Sequence, residues 1–178
     1  MKLNSNYKDN LKNIESLYLN AFPKIERKPF DLVLEKCNSG AMQIITIESD
    51  NRDFLGFAIM ILHDDMTLLD YFAIAPDSRG QNIGSTALKL LFERFNNKRF
   101  ILEIEDTDIE CDNSEERKRR KAFYIKNGMS VMPFKVNLLG VEMEILTHNC
   151  NVTFEEYFSI YENIFSNEYC SKIHLICK

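Results

Sequence analysis

The sequence predicts an α/β protein with a central mixed, mostly antiparallel sheet flanked by helices. Three observations carry that reading. Runs rich in β-branched and aromatic residues, "MQIITIES", "FLGFAIMIL" and "TLLDYFAIA", read as strands. Only the short polar link "HDDM" separates the last two, so they must be antiparallel neighbours, because a parallel return needs a long crossover. The third run then passes through a polar turn holding Gly80 and Gly84 into an amphipathic helix.

The elements follow in order. "YKDNLKNIESLYLNAF" sets Leu11, Ile14, Leu17 and Tyr18 at helical spacing. After Pro23 a second helix covers Phe30 to Cys37, with Gly40 placed to end it. The helix after the glycine turn gathers Leu88, Leu91, Phe92 and Phe95 on one face, opposite Lys89, Glu93 and Asn96. "RFILEIE" is the next strand, and a charged link leads to the helix "ERKRRKAFYIKNG", stopped by Asn127-Gly128. "MSVMPFKV" and "VEMEILTH" are strands around Gly140. Thr153 and Glu156 form a capping box ahead of the helix "FEEYFSIYENIF", and the tail "KIHLICK" reads as a last edge strand. No repeat or linker interrupts the 178 residues, so one domain over 1–178 is expected.

Composition narrows the function. A net charge of −5 argues against a nucleic-acid partner, which calls for a basic face. The five cysteines are scattered without a CxxC and the three histidines are isolated, so no metal site or disulfide framework is expected. Free thiols suit a reducing compartment. The N-terminus is too polar for a signal peptide and no apolar run approaches a membrane span. The expectation is a soluble, cytoplasmic protein without a membrane partner.

The strand–loop–helix unit is a natural anion site. The first N–H groups of a helix lack intrahelical partners, the macrodipole favours negative charge there, and Arg79 adds a charged donor. The alternative is a tight turn whose glycines only supply positive φ. The P-loop pattern is absent, and the dinucleotide fingerprint fails because a hairpin precedes the strand where parallel βαβ units are required.

"YFAIAPDSRGQNIGSTAL" instead resembles the R/Q-x-x-G-x-G/A loop of the GNAT superfamily of N-acetyltransferases, and "AFYIKNGM" (Ala122 to Met129) resembles that family's helix-end signature. One helix and one strand lie between them, as the family order requires. The resemblance implies a GNAT-like fold and acetyl-CoA as co-substrate. Phe72 and Ile74 would supply strand backbone contacts to its acetyl and pantetheine groups. Arg79, Gly80, Gln81, Asn82, Ile83, Gly84 and Ser85 would cradle its pyrophosphate. Tyr124 matches the tyrosine that protonates the departing thiolate. Asn82 stands where the pattern has its first glycine, and asparagine tolerates positive φ better than most side chains.

Glu103 and Glu105 share one face of "FILEIED" by the two-residue period and are candidates to bind or deprotonate an amine, with Glu103 first; Asp70, on the Phe72/Ile74 face, is a third. Arg117, Arg120 and Lys121 fall on roughly the Tyr124 face, placed either to reach CoA phosphates or, as part of a solvated run, to pair with Glu115 and Glu116. The expected function is transfer of acetyl from acetyl-CoA to a primary amine, on a small molecule or peptide, by direct attack in a ternary complex. A non-catalytic acyl-CoA sensor of the same fold and a nucleotide-binding domain using the same loop are the alternatives. Family habit alone implies a homodimer.

Overall fold

The computed structural model describes residues 1–176, so Cys177 and Lys178, the end of the expected tail strand, lie outside the described residues. The class is α/β with mixed, mostly antiparallel strands and flanking helices, as expected. The chain divides into two compact units: Met1–Leu62 with Leu69–Phe95, and His63–Leu68 with the chain from Asn96 on.

The first unit holds β1 (Lys2–Asn4), β2 (Met42–Glu48), β3 (Phe54–His63) and the part of β4 (Met66–Ile74) from Leu69, neighbours in that order. β1 pairs antiparallel with β2, Lys2 opposite Glu48, and β2 pairs antiparallel with β3. β2 and β3 are buried almost continuously rather than on alternate residues, which means both faces of these strands are covered. Ile44, Ile45, Phe57 and Ile59 have no exposed surface, and each such side chain contributes about 1.5–3 kcal/mol on burial. α1 (Leu11–Ala21) buries Ile14, Leu17 and Tyr18 from one stripe; α2 (Phe30–Asn38) buries Val33; α3 (Ile83–Arg94) buries Ala87, Leu88 and Leu91. Gly56 lets β3 approach β4: a Cβ there would stand 2.3 Å from the Ala73 carbonyl oxygen.

The second unit orders its strands β5 (Arg99–Glu105), β7 (Val141–His148), β6 (Met129–Leu138), β8 (Ile173–Ile176), with every one of these pairings antiparallel. Leu139 and Gly140, both at positive φ, make the two-residue turn between β6 and β7, the primed geometry that matches strand twist. The β6–β7 register breaks between Val131 and Lys135, where Pro133 has no N–H to give a ladder. α4 (Ser114–Lys126) opens with Glu115 and Glu116, which suit its dipole, and closes at Asn127 and Gly128, the latter at φ 90°. α5 (Phe154–Glu162) starts on the expected capping box: Thr153 Oγ1 accepts from the Glu156 N–H and Glu156 Oε2 from the Thr153 N–H. The short α6 (Asn167–Cys170) and β1 had no signal in the sequence patterns.

Candidate active site

The strand β4 leads into the loop as the sequence implied. Tyr71 and Ala73 are buried while Phe72 and Ile74 are half-buried. A 3-10 turn over Pro76–Ser78 follows, and Arg79 Nε donates to the Ile74 carbonyl at 3.1 Å, closing the loop onto the strand end. Gly80 sits at φ 79° and Asn82 at φ 60°, so the asparagine occupies the left-handed region that its position demands. Asn82 is the N-cap of α3, and its carbonyl accepts from both the N–H and the hydroxyl of Thr86, each at 3.1 Å. Among the described residues, the backbone N–H groups of Gly80 to Ser85 donate to no backbone or side-chain acceptor. The loop is therefore a row of free donors at a helix N-terminus, flanked by a guanidinium.

The remaining candidates lie in the second unit. Tyr124 is 8 % exposed on α4, and burial pushes its phenol up to about 12, with Arg120 pulling the other way and Glu105 adding to the rise. The phenol therefore stays protonated across the physiological range. Glu103 and Glu105, two residues apart, have different surroundings. Each oxygen of Glu103 accepts a phenol O–H, one from Tyr157 and one from Tyr161 of α5. Glu105, 3 % exposed, receives Arg120 Nη1 and an ion pair from Arg117 at 3.7 Å. Its carboxylate is thus occupied by two guanidinium groups, whereas each Glu103 oxygen accepts from a phenol.

The basic run splits in two. Lys118 and Arg119 are solvated and pair with Glu115 and Glu116, at 3.3 and 3.8 Å. Arg117, Arg120 and Lys121 turn inward: Lys121 Nζ lies 2.6 Å from Glu144 and 3.1 Å from Thr107. Asp70, the third acid, forms a buried pair with Lys28 at 2.7 Å in the first unit, and its Oδ2 has no hydrogen-bond partner. Burial raises its carboxyl pKa, with Lys28 opposing. Sequence reasoning did not name Tyr157, Tyr161 or Lys28; only the four-residue spacing of the two tyrosines on an expected helix was visible. No group of three or more metal-ligating side chains is found among the described residues.

A strand end, an open amide row and a helix N-terminus make an α/β unit whose loop suits an anionic group. The family follows from comparison: the acetyltransferase (GNAT) family model matches residues 11–124, more than half of the chain, and the protein belongs to that family. Among solved structures, a Bacteroides thetaiotaomicron protein assigned to the GNAT family aligns with TM-score 0.77 at 20 % identity, over 96 % of this chain and 99 % of that one. The Vibrio cholerae spermidine N-acetyltransferase, solved with CoA and spermine, aligns with TM-score 0.63 at 14 % identity, over 88 % of this chain and 96 % of that one. At these identities the likeness shows the fold. Among curated protein sequences, none matches significantly.

Proposed function

We propose that the protein is an N-acetyltransferase that moves the acetyl group of acetyl-CoA to a primary amine by direct attack. The observation that carries this is the row of free amides from Gly80 to Ser85, with Arg79 beside it, at the point where the family places the CoA pyrophosphate. The amine nitrogen attacks the thioester carbonyl carbon, and the backbone N–H of Phe72 stabilises the developing oxyanion. The C–N bond forms as the C–S bond breaks. Glu103, whose two oxygens accept from the phenols of Tyr157 and Tyr161, takes the amine proton. Tyr124 donates its proton to the departing thiolate. Glu105 acts by holding Arg120 close to that phenol. No helix among the described residues is long and apolar enough to cross a membrane.

A second reading is favoured by one observation. A phenol raised to about 12 is a weaker acid than an ordinary tyrosine, which suits a domain that binds acyl-CoA without turning it over. One experiment separates the two. Thermal-shift titration with acetyl-CoA, CoA, ATP and NAD is followed by free-thiol release with a panel of amines headed by spermine and spermidine, the chemistry named for the Vibrio neighbour. Stabilisation by acetyl-CoA and amine-dependent thiol release are expected. Binding without release by any amine gives the sensor reading, and stabilisation by ATP or NAD alone overturns both.

A further inference from the structure

A polar groove along β1 and the β2–β3 hairpin of the first unit takes no part in the chemistry above. Its volume is about 530 Å³, and Lys2, Asn6, Asp9, Asn10, Glu48 and Arg52 line it. Glu48 is its buried member, with a side chain 3 % exposed. Its two oxygens are unequal. Oε1 accepts from Asn4 Nδ2 at 2.9 Å, Thr46 Oγ1 at 2.9 Å and Asn10 Nδ2 at 3.4 Å. Oε2 accepts no hydrogen bond, and its ion pair with Lys2 Nζ spans 4.0 Å. Oε2 thus keeps acceptor capacity that Lys2, at 4.0 Å, does not fill.

The exposed members have unspent capacity as well. Among the described residues, the carboxylate of Asp9, the amide of Asn6 and the guanidinium of Arg52 make no hydrogen bond or ion pair. The hairpin that carries Arg52 is firmly set: Ser49 Oγ donates to Asp53 Oδ2 at 2.8 Å and accepts from the N–H groups of Asn51 and Asp53 at 3.1 and 3.0 Å. Such pre-organisation lowers the entropy lost when a ligand is held. The lining holds two carboxylates, Asp9 and Glu48, against two cations, Lys2 and Arg52. A dication would leave the cations facing it, and a phosphate would meet both carboxylates. A ligand with both signs and no net charge complements all four.

We propose that this groove binds a small zwitterion, an amino acid in the broad chemical sense, with its ammonium on Glu48 Oε2 and Asp9 and its carboxylate on Arg52. The site is independent of acetyl transfer. The test is calorimetric titration of the full chain with ω-amino acids from glycine to 6-aminohexanoate, with butane-1,4-diamine and succinate as single-sign probes. At least one zwitterion binds at millimolar concentration or below, and Asp9→Asn and Arg52→Gln each weaken it about tenfold without moving the melting temperature. Both substitutions are at exposed positions, so they report binding where Glu48→Gln could disturb the Asn4, Asn10 and Thr46 contacts. The proposal is overturned if no zwitterion binds at millimolar concentration, if both variants bind as the parent does, or if either single-sign probe binds as tightly as the best zwitterion.

Discussion

Two buried carboxylates, Asp70 in the first unit and Glu105 in the second, are held in opposite ways. Asp70 has one cation, Lys28, with side chains 3 % and 7 % exposed, and its second carboxylate oxygen has no partner. In the second unit, Glu105 has two guanidinium groups, those of Arg117 and Arg120. Removing one partner from a redundant set leaves a charge still compensated. Removing it from a lone pair leaves a bare charge in a low-dielectric interior. The contrast therefore lies in how each of these two sites should respond to damage.

The largest expected effect is that of Lys28→Met, a loss of about 3–5 kcal/mol in urea unfolding. Its pH dependence has a definite sign. Burial already raises Asp70, and losing Lys28 removes the influence opposing it. The folded state then holds a proton that the unfolded chain releases, so stability falls as pH rises through that window. The loss should be smaller near about pH 4 than near about pH 7; equal losses would remove the buried charge from the explanation. Next comes Tyr124→Phe, expected to lower kcat about 10²-fold with little change in acetyl-CoA affinity. Because the phenol is pushed up to about 12, the parent enzyme should show no alkaline decline from this group below about pH 11. An unchanged kcat would take Tyr124 out of the acid role.

Arg120→Met should cost only about 1–2 kcal/mol, since Glu105 keeps Arg117. A loss as large as that of Lys28→Met would mean the redundancy at Glu105 is only apparent. The smallest effect belongs to Asn82→Gly, a gain of about 0.5–1 kcal/mol from relieving a left-handed non-glycine residue. The free-amide row should survive that change, so acetyl-CoA affinity is the companion measurement. A large rise in affinity would show that the asparagine, rather than the backbone, limits the loop.

What the sequence could reveal follows contact range. β5 was legible to its last residue because "RFILEIE" carries its own pattern, and the α4 stop and α5 capping box are set by residues within one helical turn. The glycine loop was legible for the same reason, down to the φ of Asn82. The different surroundings of Glu103 and Glu105 were not legible in sequence, because the tyrosines that hold one lie 54 and 58 residues away and the arginine that grips the other lies 15 away. Lys28 and Asp70 are 42 residues apart. β1 escaped notice because three mostly polar residues become a strand only through the ladder β2 offers them.

The strand order of the second unit also constrains how that unit can assemble. β7 has both edges occupied, by β6 across the Leu139-Gly140 turn and by β5 from across a whole helix and strand. The tight turn closes at low entropic cost, on the roughly 1–10 μs scale of hairpins, whereas the β5 partnership must first bring distant chain together. Loop-closure entropy thus places the β6–β7 hairpin first in time, as the template on which the strand carrying Glu103 and Glu105 is laid down.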